Sequence, residues 1–313
     1  MKGRALVAVL ALGLGGKATA DPENTAGKPR ESFLLKTIRD KLNIDAVRKE
    51  FTYAILPEEE LKLDIYYPRG PVPPDGYPLI VWFHGGGWIL GSKRQDVFVR
   101  HFPLYGYAIA SIEYRLAQKE PFPAQVRDAR LATRWLWKNA RALEIDPGKI
   151  VLAGQSAGAH LALLTAYSQG ERVKEWGPTV PQGTIKGVAA LYPPTDLLRL
   201  VPPGARDNPI HPVAILLGDK VDNRIALARE ASPISHVEAG LPPTLLFHGS
   251  EDPIVPLEQS IALDRRLKVH GVREKLLVTE AGHAFTLYPE RVPDILRFFE
   301  TIPALKGAAT AEP

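Results

Sequence analysis

Four short segments carry residue types that together perform acyl transfer: His84-Gly85-Gly86-Gly87-Trp88, Gly154-Gln155-Ser156-Ala157-Gly158, Asp252 and His283, in that order. A serine hydroxyl is a weak nucleophile near neutral pH, so it needs a base, and the base needs a partner that fixes its tautomer. Small residues flank Ser156, as required of a strained strand-to-helix turn that lifts Oγ clear of a sheet. A serine that merely caps a helix is the structural alternative. Among eight histidines, His283 in Ala281-Gly282-His283-Ala284-Phe285 is the candidate base. It follows an apolar run ending near Val278, and the carboxyl ends of parallel strands are where ligands meet such sheets. Asp252 is the candidate acid and Asp196 its main rival, with Glu251 and Asp219 behind; a turn aspartate before proline is the alternative use of Asp252. The glycine run is either a flexible turn or a loop whose N–H groups converge on a substrate oxygen without Cβ obstruction. The N–H groups of Gly86, Gly87 and Ala157 are the candidate oxyanion hole, with His84 shaping the loop.

These segments lie far apart, so the elements between them must return each one to a common edge. The alternation of Leu61, Leu63, Ile65 and Tyr67 with polar partners predicts a strand, paired through a Pro57-Glu58 turn with a strand over Phe51 to Leu56. Further strands are predicted at Leu79–Phe83, Ala108–Ile112, Ile150–Ala153, Gly187–Leu191, Thr244–His248 and Lys275–Val278. Helical patterns run from about Ala124 to Ala140, Ala157 to Ser168, Pro256 to Val269 and Val292 to Glu300. The alternation implies an α/β fold: a mainly parallel twisted sheet with helices on both faces. Seven prolines from Tyr192 to Pro233 predict an irregular loop or small cap there.

At the amino end, Lys2 and Arg4, the apolar run Ala5 to Leu14 and Ala18-Thr19-Ala20 form the pattern of a signal peptide cleaved near Ala20-Asp21, which implies export. The run is shorter than the roughly 20 residues a membrane span needs. Residues 21–31 then read as a flexible leader, Leu34 to Leu42 as a short amphipathic helix, 32–303 as one catalytic domain and 304–313 as a disordered tail. The formal charge of +4 mostly resides in the signal peptide: without Lys2, Arg4 and Lys17, 36 basic residues face 35 acidic ones. That balance, with no basic stripe interleaved with aromatics, argues against nucleic-acid binding. The chain has no cysteine, which excludes disulfides, thiolate metal sites and a cysteine nucleophile. No His-Glu-x-x-His cluster suggests a metal.

At these motifs the chain resembles α/β-hydrolase fold esterases of the hormone-sensitive-lipase and acetyl-esterase type, nearest the branch of bifunctional feruloyl and acetylxylan esterases. The shared residues also include Gly91-Ser92, Tyr114-Arg115-Leu116, Phe122-Pro123-Ala124 with Asp128, Asp146-Pro147, Ser232-Pro233-Ile234 and His248-Gly249. The resemblance implies carboxylic-ester hydrolysis through an acyl-enzyme with no cofactor, and the short stretch between Tyr192 and Ser232, unlike a large lipase lid, predicts small esters. Gln155 departs from it, since related sequences often carry Asp or Glu before the serine. Three other readings stay open at this level. An arylformamidase-like amide hydrolase would use the same residues, and a non-catalytic relative would use the fold for binding. A prolyl-oligopeptidase-like peptidase shares the triad order but usually carries a propeller domain for which this chain has no room. The residues say nothing about oligomeric state.

Overall fold

In the computed structural model, which describes residues 47–168, 171–283 and 289–309, the apolar runs become eight strands. These are β1 (Val47–Ile55), β2 (Glu60–Tyr67), β3 (Tyr77–Phe83), β4 (Ala108–Ile112), β5 (Ile145–Gln155), β6 (Ile185–Leu191), β7 (Thr244–Gly249) and β8 (Glu274–Thr279). They form one sheet in the order β1-β2-β4-β3-β5-β6-β7-β8. β2 is antiparallel to both neighbours, and every pairing from β4 to β8 is parallel. Strands covered on both faces must be apolar on both, which is why β3 (YPLIVWF) and β4 (AIASI) are buried at every position.

The helices are α1 (Ala124–Asn139), α2 (Ala157–Tyr167), α3 (Leu197–Leu200), α4 (Pro212–Leu217), α5 (Ile225–Glu230), α6 (Glu258–Val269) and α7 (Val292–Glu300). Strand residues of alternate parity feed two cores. Val81, Leu152, Val188 and Leu246 pack with Val126 of α1, Leu161 of α2 and Leu263 of α6. Ile80, Trp82, Val151 and Phe247 pack with Phe98 and Phe102 of a 3-10 segment, Val97–Tyr105, and with Ile295 and Phe299 of α7. A mostly parallel sheet sandwiched in this order is the α/β-hydrolase fold. Among the described residues, no helix is long and apolar enough to cross a membrane.

Three parts differ from the sequence reading. β1 starts at Val47 rather than Phe51, because Arg48 at its polar end is held by the buried carboxylate of Asp64 on β2, 3.0 Å away. The stretch from Tyr192 to Pro233 holds the short helices α3, α4 and α5. Proline is compatible with these because Pro212 occupies the first turn of α4, where its missing N–H has no helical partner to lose. The tail from Ala304 is not disordered as far as 309. Leu305 is fully buried, Ala308 and Ala309 pack on the second core, and the Glu300 carboxylate accepts bonds from the N–H groups of Gly307 (2.8 Å) and Ala309 (3.0 Å). The signal peptide, leader and helix predicted before residue 47, and the tail beyond 309, lie outside the described residues.

One close approach sets the geometry of the sheet's carboxyl edge. A Cβ on Gly158 would overlap the carbonyl oxygens of Phe83 and His84, and one on Gly154 would lie 2.8 Å from the Phe83 oxygen. The start of α2 therefore abuts the end of β3, and only glycine permits the contact. A second clamp joins the same parts. The indole Nε1–H of Trp88 donates to His160 Nδ1 (3.2 Å), and His160 Nε2–H donates to the carbonyl of Ala231 (2.7 Å), tying the glycine loop to α2 and to the segment after α5. An indole can only donate, so His160 must be neutral. Burial drives its pKa down to about 4 from 6.5, against a smaller raising effect of the Ala231 carbonyl.

The folded state resists protonation that the unfolded chain accepts, so the stability due to neutral His160 is lost as pH falls from 6.5 toward 4. The excess stability of the wild type over His160→Gln, which can keep both bonds, should fall by about 1.4 kcal/mol per pH unit across that window. Urea denaturation of both proteins at about pH 7, 6 and 5 measures it; a difference independent of pH contradicts the assignment.

Candidate active site

β5 delivers Ser156 on a turn that α2 immediately leaves. The serine has φ 52° and ψ −122°, a conformation that side chains other than glycine seldom adopt, and the surrounding bonds over-determine it. Its N–H donates to the carbonyl of Leu191 (2.9 Å), and its carbonyl accepts from His160 N–H (3.1 Å). The hydroxyl thus stands at the amino end of an 11-residue helix, where the dipole and orphan N–H groups favour negative charge.

The loops after β7 and β8 bring Asp252 and His283 to the same place. Ser156 Oγ lies 3.0 Å from His283 Nε2, and His283 Nδ1 lies 2.6 Å from Asp252 Oδ2. Residues separated by 127 and 31 positions thus form one hydrogen-bonded line. The carboxylate can only accept, so Nδ1 carries the proton and Nε2 is left to accept from the serine. The Asp252 side chain is fully buried. Burial by itself would raise its pKa, but bonds from His248 and His283 and from the Val255 N–H outweigh it and hold the carboxyl well below the usual carboxylate range. Asp252 Oδ1 accepts from the N–H groups of Ile254 and Val255, both at 2.9 Å, so neither oxygen is left to solvent.

His248 ends β7 as a support for this acid. Its Nδ1 accepts from Ser260 Oγ (2.7 Å), and its Nε2–H is shared between the Val255 carbonyl (2.8 Å) and Asp252 Oδ2 (3.4 Å). The rival carboxylates have other employment. Asp196 caps α3 by accepting from the N–H groups of Leu198 and Arg199, and Asp219 accepts from the N–H of Lys220 and the amide of Asn223. Glu251 is exposed.

The glycine loop lies against Ser156, since a Cβ on Gly85 would sit 3.5 Å from that of the serine. Two of its peptide planes are pinned through their carbonyls. His84 Nδ1–H donates to the Gly85 oxygen (2.8 Å), and the N–H groups of Ile89 and Leu90 donate to the Gly86 oxygen (3.1 and 2.9 Å). In a trans peptide the N–H points opposite to the carbonyl, so the Gly86 and Gly87 N–H groups face away from these internal bonds. Gly86 has φ 112° and a Cβ there would strike Leu90, so glycine is obligatory. His84 is fully buried, stacks on the Tyr114 ring at 4.2 Å, and is kept neutral by burial, which lowers its pKa to about 4. Tyr114 closes the loop by donating to the His84 carbonyl (2.9 Å).

Among the described residues, no group of three or more His, Asp or Glu side chains could hold a metal. Sequence reasoning missed the parts supplied from a distance. Trp88 and His160 meet across 72 positions, and Gln155 donates through Nε2 to Asp96, 59 positions away. The only local signal was Gln155 itself, an amide where a carboxylate is common.

The BD-FAE family model matches residues 63–267. Esterase LipQ of Mycobacterium tuberculosis is 30% identical over 229 residues, covering 72% of this chain and 54% of LipQ, so the chain spans about half the length of that relative. Among solved structures, a thermophilic esterase of Thermogutta terrifontis, Est2, superposes with a TM-score of 0.67 at 27% identity, over 83% of this chain and 94% of its own. Est2 phosphorylated by paraoxon matches with a TM-score of 0.66 at 27% identity, over 82% and 95% respectively. The family match takes in the glycine loop, the nucleophile turn and the acid, on the sheet just described, and the chain belongs to the BD-FAE family.

Proposed function

We propose that this protein is a serine hydrolase of small carboxylic esters. The observation that carries the reading is the line Ser156–His283–Asp252, at 3.0 and 2.6 Å, beside a loop with two outward-turned amides. Ser156 Oγ attacks the ester carbonyl while its proton passes to His283 Nε2, and buried Asp252 stabilises the imidazolium that forms. The negative oxygen of the tetrahedral intermediate is met by the N–H groups of Gly86, Gly87 and Ala157, the last being an orphan donor in the first turn of α2. Collapse expels the alcohol, which takes the proton from His283. Water then enters with His283 again as base, and releases the acid and free Ser156. Each oxyanion donor contributes about 3 kcal/mol to the transition state.

The related Est2 accepts a phosphoryl group from paraoxon, as a nucleophilic serine would. The size limit comes from the cap: a Cβ on Gly87 would lie 3.4 Å from Pro212 of α4, so the short cap closes down beside the oxyanion loop. This favours short acyl groups over long lipid chains.

Ser156→Ala is expected to lower kcat/KM for nitrophenyl acetate by on the order of 10⁴-fold or more with the melting temperature retained. Retained turnover contradicts the reading. Wild-type activity is expected to fall from acetyl and butyryl esters to emulsified triolein, and to be higher on esters than on N-formyl amides; the reverse order in the first comparison overturns the size limit, and in the second it supports an amide hydrolase. We also propose export, from the charged, apolar and small-residue pattern of residues 1–20. Amino-terminal sequencing of the protein expressed in full in a bacterial host should find Asp21 first, and an intact Met1 on protein retained in the cytoplasm contradicts it.

A further inference from the structure

Behind the nucleophile, on the sheet face that carries the second core, lies a polar chain that the acyl-transfer mechanism does not use. Trp82 and Gln155 emerge on the same face of β3 and β5, as their period-two spacing from Ile80 and from Val151 and Ala153 requires. Between them sits the carboxylate of Asp96, a residue only 7% exposed. Its Oδ2 accepts from Trp82 Nε1–H at 2.7 Å and its Oδ1 from Gln155 Nε2–H at 2.6 Å. Gln155 Oε1 in turn accepts from the Tyr192 hydroxyl at 2.7 Å. Tyr192, at the end of β6, has φ 40°, is 3% exposed, and lays its ring 4.4 Å from the imidazole of His283.

The direction of this chain is fixed. Indole can only donate and carboxylate can only accept, so Gln155 must present its amide hydrogens to Asp96 and its oxygen to Tyr192. We propose that Asp96, Gln155 and Tyr192 are positioning residues that set the plane of the His283 ring, with Gln155 as the obligatory neutral link. The proposal rests on the serine-hydrolase reading and deepens it. It also accounts for the amide at 155. A carboxylate there would face the Asp96 carboxylate at hydrogen-bond distance in a buried site, where two like charges cannot both persist. Burial already pushes Asp96 up to about 6, and a second carboxylate beside it would further raise the pair's affinity for a proton.

The test is a charge exchange. Gln155→Glu, assayed at about pH 9 so that the two carboxyl groups do not share a proton, sets acceptor against acceptor and breaks the chain. In the double variant Asp96→Asn/Gln155→Glu every partner is restored. The asparagine oxygen takes the Trp82 hydrogen, and its amide donates to the carboxylate introduced at position 155, which accepts in turn from the Tyr192 hydroxyl. Two readouts are used, the steady-state constants for a short nitrophenyl ester and the low-field proton resonance of His283 Nδ1–H in its bond to Asp252. Gln155→Glu is expected to lower kcat at least tenfold with KM within twofold and to shift or broaden that resonance. The double variant should return kcat to within threefold of wild type and restore the resonance. Tyr192→Phe, which keeps the ring and loses only the hydroxyl, should lower kcat three- to tenfold with the melting temperature unchanged. Wild-type kcat and resonance in Gln155→Glu or in Tyr192→Phe, or a double variant no better than Gln155→Glu, overturns the proposal. Should Gln155→Glu fail to fold, Tyr192→Phe decides by itself. Should the wild type turn over no ester, the function reading fails, and the resonance still decides the positioning role.

Discussion

The site depends on one steric constraint, the contact between the first turn of α2 and the last residues of β3. With no side chain at Gly154 or Gly158, the helix start presses on the carbonyls of Phe83 and His84. This contact accompanies the positive-φ turn at Ser156 (φ 52°, ψ −122°) and sets the loop that follows β3, His84 to Trp88, directly beside it. Ser156 and the candidate oxyanion donors are therefore placed by the same packing. The Trp88–His160–Ala231 clamp reinforces the contact from the far side of the loop, and His84 stacked on Tyr114 holds its near end. Strain at an active-site turn persists when its surroundings over-determine it, and here they do.

Electrostatics supplies the second half of the arrangement. A buried carboxylate is costly unless hydrogen-bonded, and Asp252 accepts from two backbone N–H groups and two imidazoles. Its charge is thereby kept where it can hold the tautomer of His283. Asp96, a second buried carboxylate behind the nucleophile, has two donors and is shifted upward by burial. The two acids differ in the number of donors aimed at them: the one with more orients the imidazole directly, and the other acts through Gln155 and Tyr192.

Much of this was legible in the sequence because it is local. Continuous apolar runs marked the buried strands to within a few residues, since burial on both faces leaves few polar positions. The glycine spacing around Ser156 reads as a tight turn for the steric reason seen in the structure, and Asp252 and His283 were identifiable from their places just past strands. What could not be read was long-range. Nothing near Asp96 announces that it meets Trp82 and Gln155, and His160 looks like any polar residue in an alanine-rich helix until Trp88 arrives from 72 positions away. The prolines after Tyr192 suggested irregular chain, but proline at the start of α4 is favourable. The tail reads as disordered because Leu305 is an isolated apolar residue among small ones, and its burial depends on a core assembled from β5, β7 and α7.

The central claim is that Ser156 is the nucleophile of this constellation. Peptide mapping by mass spectrometry after reaction of the folded protein with paraoxon tests it most directly. The account predicts one diethylphosphoryl group per chain, on Ser156, with release of one nitrophenolate. Folded protein that remains unlabelled, or that carries the group on another residue, contradicts it.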